Sequence, residues 1–320
     1  MRRRQFFALG LGMAASLAGC ATATQPAHGP GRLTVVPAGE SLSRIAQAYG
    51  RALSRRGHAV TGLAGSTAAD IGASGATVTR ITVTSLPRLA AAEINGAPPI
   101  LEVATPLARL AGEPVAVVIP ANSRFADFDA LAAQLVADPA RTYLAGGPQG
   151  ETGHVLFGLI AQGLGADTRL VDYAGYTGES EAAASLMAGH ACAAAGTLAA
   201  WRPRIDRGRV KVIAVSTDER VPGIDAPTLK ECGVRVDFAE WCAAFGPRKL
   251  AGRTREAMAA ACDEAAYSDD WLEACRSGGW TPMPLSGDDF TVWLTSELDR
   301  TRKVLRDLGL LDTRGTTYRG

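Results

Sequence analysis

The chain lacks nearly everything that would mark an enzyme or a nucleic-acid binder. Its 320 residues include only four histidines, His28, His58, His154 and His190, too scattered to suggest a metal site. No G-x-S-x-G nucleophile elbow and no H-E-x-x-H helix is present. The paired carboxylates Asp269–Asp270 and Asp288–Asp289 fall at predicted helix starts, where they read as caps and dipole partners rather than as an acid/base pair. Charge of one sign is missing too: 33 basic against 32 acidic residues leave a net charge of +1. Lys and Arg are dispersed after the first few positions, so there is no stripe to meet a phosphate backbone. There is no Gly-Ser linker, no repeat and no low-complexity tract beyond the N-terminus. These absences leave no catalytic residue, no metal and no cofactor to assign, and no nucleic-acid partner.

The most informative segment is the N-terminus. Arg2, Arg3 and Arg4 precede Gln5, Phe6 and Phe7, and an apolar run from Ala8 to Ala18 ends at Gly19 and Cys20. Basic, apolar, then small is the order of a secretory signal, and the run is too short to span a bilayer permanently. The chain is therefore expected to be exported, with residues 1–19 as signal peptide. Arg3-Arg4-Gln5-Phe6-Phe7 resembles a twin-arginine motif, with Arg2 where Ser or Thr is usual. Leu17-Ala18-Gly19-Cys20 resembles a lipobox, which would make Cys20 the lipidated first residue; an ordinary signal cut nearby is the alternative. Residues 20–31, rich in Thr, Pro, Ala and Gly, read as a flexible tether. Beyond Cys20 the cysteines are Cys192, Cys232, Cys242, Cys262 and Cys275. Cys262 with Cys275 and Cys232 with Cys242 are candidate disulfides in an exported chain, and buried free thiols are the alternative.

With 47% apolar residues, the chain is globular and long enough for two domains with separate cores. Strands are read at Leu33–Val36, Arg80–Thr84, Pro114–Pro120, Thr142–Ala145, Arg169–Asp172, Ala191–Ala195 and Val210–Ser216. Helices alternate with them: one begins near Ser41 and stops at Gly57, one is capped by Asp127, and others cover Glu179–Ala188 and Thr197–Asp206. Val60–Gly75 holds a short helix at most. The alternation implies a mostly parallel sheet. Val234–Gly246 is a long extended stretch that can cross between two domains. Helices follow at Arg253–Ala266 and Asp270–Arg276, then a final helix from a Ser286/Asp289 capping box with the stripe Phe290, Trp293, Leu294, Leu298, Leu305 and Leu308. That stripe is expected to lie on the first domain.

Arg141–His154, RTYLAGGPQGETGH, reads as a strand, a glycine-rich loop and a helix start. Such a turn either simply reverses the chain or presents free N–H groups and a positive dipole end to an anion. It lacks the Walker lysine and the G-x-G-x-x-G spacing, which argues against nucleotides. Four stretches in order, GGPQGETGH, VDYAGYTGESEAAASLMAGH, RGRVKVIAVSTDER and PTLKECGV, resemble the segments of the substrate-binding proteins of tripartite tricarboxylate transporters, the Bug family of extracytoplasmic solute receptors. The resemblance is good from about Val115 to Leu310 and loose from Leu33 to Leu110.

That resemblance implies an α/β, two-lobed periplasmic-binding-protein (type II) fold, each lobe a mostly parallel sheet flanked by helices. Lobe 1 would comprise 32–115 and 246–320, lobe 2 116–245. It implies no enzyme but a monomeric solute-binding lipoprotein, anchored through Cys20 on the extracytoplasmic side of a membrane. The protein would capture a small carboxylate in an interlobe cleft and deliver it to the membrane subunits of a transporter, or report it to a sensor kinase; an exported enzyme on the same fold is the rival. Ligand contacts carried over by the resemblance are Ala38, Gly39 and Ser41 of the first loop, with Ser85; Gly147, Gln149, Gly150 and Thr152; Tyr173, Gly175 and Thr177; and Thr197. Thr152 reads as ligand donor or as cap, Tyr173 as pocket wall or core, and His154 as a structural hydrogen-bonder. Arg88 is the candidate counter-charge, a solvated arginine being the alternative. The sequence departs from the family where aspartates are expected, in the loop Pro37–Arg44 and near Cys192 and Gly196. Glu151 adds negative charge beside the loop, which disfavours a dianion and puts a tricarboxylate in doubt.

Overall fold

The computed structural model describes residues 32–63, 78–250 and 252–311. The signal peptide, Cys20 and the tether lie outside the described residues, as does most of the small-residue stretch after Leu63. In chain order the elements are β1 (Arg32–Pro37), α1 (Ser43–Arg55), β2 (Ala59–Leu63), β3 (Val78–Ser85), α2 (Leu86–Ile94), α3 (Ile100–Val103) and β4 (Ala104–Pro120). Then come α4 (Phe128–Ala137), β5 (Leu144–Gly146), α5 (Thr152–Leu164), β6 (Tyr173–Gly175), α6 (Glu179–Met187), β7 (Ala193–Thr197), α7 (Leu198–Ile205) and β8 (Val210–Val215). The chain ends with β9 (Ala239–Pro247), α8 (Gly252–Ala266), α9 (Asp269–Gly278), β10 (Thr281–Ser286) and α10 (Gly287–Asp307).

The sheet is built on β4. Its first part pairs antiparallel with β9 and β10, and its second part antiparallel with β7 and β8. On one side β1 lies parallel between β2 and β3; on the other, β5 lies parallel between β6 and β7. The α/β, two-lobed expectation holds, but the sheet is mixed rather than mostly parallel. The strands that join the halves run against the parallel sets, and β3 also meets β9 antiparallel. Sequence alternation cannot show this, because pairing direction is set by long-range contacts.

β4 is apolar on both faces for a physical reason. Leu107, Ala108, Leu110 and Ala111 enter a core under α1, α8 and α9, with Tyr49, Met258 and Trp271. Further along, Ala116 and Val118 face Leu186, Trp201 and Val212. Val115, Val117 and Ile119 point the other way, into a core with Leu86, Phe128, Leu156, Trp241 and Phe290. Successive side chains alternate across a strand, so the stretch 115–119, covered on both sides, is apolar throughout, whereas in the first part of β4 register shifts at Pro106/Ala108 and Arg109/Ala111 turn neighbouring residues into the same core. Each large side chain buried this way contributes roughly 1.5–3 kcal/mol.

The third core spans both halves, and α10 runs along it. Phe290, Leu294, Leu298, Val304 and Leu305 form its buried stripe. Beyond the first-domain surface expected for it, α10 reaches α5, where a Cβ on Gly158 would meet Val304 Cγ1 at 2.7 Å. Gln162 Nε2 donates to Asp307 at 2.7 Å, and Arg302 holds Glu93 of α2 through two bonds of 3.0 and 2.6 Å. The helix is therefore tied to both halves.

Several local expectations are corrected. Ser286 precedes α10 but makes no side-chain cap; its hydroxyl donates to Asp263 instead. Asp127 does cap α4, accepting from the Ala130 N–H at 2.9 Å. The strand read at Arg169–Asp172 is a tight turn at Thr168–Leu170, nucleated by Asp167 accepting from Arg169 N–H, and the strand starts only at Tyr173. The described part of Val60–Gly75 is strand β2. Cys192, Cys232, Cys242, Cys262 and Cys275 are all free thiols, so neither candidate disulfide forms. Cys242, Cys262 and Cys275 sit in the apolar core under α1 and act as small hydrophobes.

Candidate functional site

Four helices begin at one place. The residues just ahead of α2, α5, α6 and α7 are Ser85, Glu151, Gly178 and Thr197. All four line a single cavity of about 320 Å³. Thr197 caps its own helix, accepting from Ala200 N–H at 3.4 Å. Ser85, Glu151 and Gly178 make no side-chain cap. The leading amides of α5 and α6, and those of α2 apart from Pro87, which has no N–H, are thus left for water or a ligand, with the positive ends of the dipoles converging. The first half supplies Ser41, Ser85, Pro87 and Arg88, and the second half supplies the loops after β5, β6 and β7. That is the carboxyl end of parallel strands, where ligands of open α/β sheets bind.

The glycine-rich loop is held rigidly behind this surface. Gly150 has φ +81, where an L side chain is strained, and a Cβ there would meet Ile94 Cδ1 at 2.1 Å, so any other residue would strain the loop and displace the end of the Ile94 side chain. His154 Nδ1 accepts from Gly150 N–H at 3.1 Å, and its ring stacks on Tyr173 at 4.2 Å. Tyr173 in turn donates to the Gly147 carbonyl at 2.8 Å. Burial pushes the His154 pKa down to about 4, so the ring is neutral and available as the acceptor this bond needs. His154 is structural, as expected, and Tyr173 is a buried brace rather than a pocket wall.

Of the expected contacts, the structure gathers Ser41, Ser85, Gly147, Thr152, Thr177 and Thr197 on the cavity wall. The others stand elsewhere. Ala38 donates its N–H to Val83 and borders a separate hollow with Arg80 and Thr82. At Gly39 a Cβ would lie 2.1 Å from the Arg88 guanidinium, so this glycine makes room for Arg88 instead of meeting a ligand itself. Gln149 and Gly175 pack on each other outside the cavity lining, and Gly150 and Tyr173 are buried. Thr177 commits its N–H and hydroxyl to Glu181, at 3.2 and 2.8 Å.

Thr152 resolves against capping: its hydroxyl donates to the Glu240 carboxylate of β9. Glu240 faces Glu113 in the β4–β9 register. Burial above all, then Glu113, Glu179 and Glu151, raise the Glu240 pKa to about 7, against the Thr152 hydrogen bond. Glu113 is raised by burial and by Glu179, while Thr197, Trp280 and Arg44 pull it down. Glu151 is raised by burial, with Arg88 lowering it. The acidic set Glu113, Glu179 and Glu240 escaped the sequence reading. One signal was there: Glu240 is a carboxylate inside the apolar stretch Val234–Gly246, and such a group is either paired or functional. The missing aspartate near Gly196 also has a reason, because a Cβ there would lie 2.8 Å from Trp201 Nε1.

The sequence of residues 69–310 matches the model of the tripartite tricarboxylate transporter family receptors, TctC. The chain belongs to that family. Among curated proteins, the receptor is 26% identical over 203 residues to the UPF0065 protein in the tcbD-tcbE intergenic region of Pseudomonas sp. (strain P51). That match covers 62% of this chain and only 60% of the relative. Among solved structures, the receptor is similar to a ligand-free TctC solute-binding protein from Polaromonas, with a TM-score of 0.68, 19% identity and coverage of 87% of this chain and 97% of that one. MatC from Rhodopseudomonas palustris with bound malate gives a TM-score of 0.59 at 19% identity, covering 88% and 98%. A further R. palustris protein with adipate gives 0.61 at 20% identity, covering 87% and 96%. At these identities the structural likeness establishes the fold, and the family is one of receptors rather than of enzymes.

Proposed function

We propose that this receptor captures a small organic acid in the cavity between its halves and delivers it to the membrane subunits of a tripartite tricarboxylate-type transporter. The observation that carries this reading is the convergence of Ser85, Glu151, Gly178 and Thr197, the starts of four helices, on one cavity. Backbone amides and dipole ends bind a carboxylate without needing a dedicated cation. The volume of about 320 Å³ is at the small end of ligand pockets, which suits a metabolite of a few carbons. Malate and adipate in related structures are of that class. The halves, 32–115 with 246–320 and 116–245, act as lobes that close on the ligand, with β4 and the segment entering β9 as hinge. In the cell the receptor is a monomer on the extracytoplasmic side, exported by its N-terminal signal and anchored through lipidated Cys20.

The test is a thermal-shift screen of the mature protein against mono-, di- and tricarboxylates. A ligand present at about 100 times its Kd adds about 2.7 kcal/mol of stability, an upward shift of several degrees. No shift with any carboxylate at millimolar concentration contradicts the proposal.

A further inference from the structure

The first half carries a second hollow, of about 470 Å³, that shares no lining residue with the cavity between the halves. Alternation along β3 builds it. Ile81 and Val83 enter the core under α1, so Arg80, Thr82 and Thr84 stand on the other face of the strand, and all three line the hollow. Phe245 of β9, opposite Thr82 in the register, and Ile100 and Val103 of α3 supply its apolar lining. Arg248 completes it just beyond β9, whose end is held to β4 by the Thr105 hydroxyl donating to the Pro247 carbonyl at 2.7 Å.

Two features of this hollow are unmet within the chain. Among the described residues the side chains of Arg80 and Arg248 have no ion pair and no hydrogen bond, and no acidic residue lines the hollow. Thr84 is only 5% exposed, yet among the described residues its hydroxyl has no hydrogen-bond partner. That oxygen is not among the fully enclosed unpaired atoms, so it opens on the hollow. A hydroxyl so placed needs water or a ligand as its partner, and guanidinium forks without an internal carboxylate match a carboxylate or phosphate from outside.

We propose that this hollow is a second binding site, for an amphiphilic anion. A single carboxylate or phosphate head is held by Arg80, Arg248 and the Thr84 hydroxyl, and a short hydrocarbon or aromatic body lies on Phe245, Ile100 and Val103. The volume falls within the range of small-ligand sites. Charge separates the two cavities: Glu151, Glu179 and Glu240 line the one between the halves, whereas two arginines and no carboxylate line this one. A neutral ligand would leave both guanidinium groups without a counter-charge, and an anion without an apolar body would leave the apolar lining in water. A ligand with both parts meets both demands. The proposal does not depend on the receptor reading above.

Isothermal titration of the mature protein tests this with hexanoate and hexyl phosphate, against hexan-1-ol, which lacks the charge, and acetate, which lacks the body. At least one hexyl anion should bind about 10-fold or more tighter than hexan-1-ol and acetate, and the tighter of the two identifies the head group. Arg80→Gln and Arg248→Gln should each weaken that anion about 10-fold, and Thr84→Val should weaken it a few-fold, with the binding of succinate and adipate unchanged. Arg88→Gln, on the cavity between the halves, should leave the hexyl anions unaffected. Arg248 is exposed and Arg80 partly so, which lets both variants fold. Hexan-1-ol binding as tightly as the anions overturns the proposal, as does anion binding that survives both Arg80→Gln and Arg248→Gln but is lost in Arg88→Gln. No binding of either hexyl anion at millimolar concentration overturns it too. Failure of succinate and adipate to bind would bear on the receptor reading alone.

Discussion

At the scale of the residue, the site turns on a few side chains whose roles follow from burial. Thr152 and Glu240 are one unit, joining the start of α5 to β9. Thr152→Val therefore removes a hydrogen bond to a carboxylate and should cost about 1.5–3 kcal/mol of stability, discounted toward the lower figure because Glu240 can protonate. It should also weaken ligand binding, because the α5 start loses its link to the acidic wall; denaturant midpoints and titration calorimetry on the same variant separate the two effects. His154 is 5% exposed and titrates near 4 when folded, against about 6.5 unfolded. The unfolded chain binds the extra proton between those values, so this residue makes stability fall as pH drops from 6.5 to 4, by about 3 kcal/mol at most. Glu240 acts oppositely. Its folded pKa of about 7 lies above the unfolded value, so its contribution favours the folded state at low pH and is lost as pH rises toward 7. The two nearly offset each other in wild type, and Glu240→Gln should expose the His154 slope: urea unfolding of that variant falls more steeply from pH 6.5 to 4 than that of wild type. Thr152, His154 and the glycine loop were legible in the sequence because a helix start after clustered glycines has few structural explanations. Glu113 and Glu179 were not, because what makes them matter is proximity across strands and loops far apart in the chain.

At the scale of the element, amphipathic spacing marked α1, α4, α5 and α10, alternation marked β3, and apolar runs marked β8 and the end of β4 from Pro114, while the first part of β4, residues 104–113, was not read as strand. Such local signals suffice where burial is one-sided or complete. They fail where a side chain has a stronger distant partner, as with Ser286 bonding Asp263 instead of capping α10, and where short strands are fixed only by neighbours, as in β6. The close crossing of α5 and α10 makes a specific prediction. A Cβ at Gly158 would press on Val304 at 2.7 Å and Leu308 at 3.0 Å, so Gly158→Val should destabilise by roughly 1–3 kcal/mol through overpacking. The gain in helix propensity from replacing glycine is smaller than that. The denaturation midpoint reads the result, and an unchanged or raised midpoint would mean that α10 does not clamp α5.

At the scale of the whole molecule, the family relationship and the cavity point to the same use of the fold: two halves, joined by β4 and spanned by α10, meet where four helices start. Which pairs of strands run antiparallel could not be read from the sequence, whereas the glycine-rich loop that borders the cavity could, since it lies at the carboxyl end of a strand in either case. The proposed anchor is tested by Cys20→Ala, which should move the mature protein from the membrane fraction to the soluble extracytoplasmic fraction without changing its ligand affinity. The most direct measurement is a crystal structure of the protein with the tightest-binding acid from the screen. The ligand carboxylate should lie within about 3 Å of the amides at the starts of α5 and α6, inside the cavity bounded by Arg88 and Thr197. A ligand seated outside that cavity, or one whose carboxylate lies against Glu240 with the helix-start amides left to water, would contradict this placement.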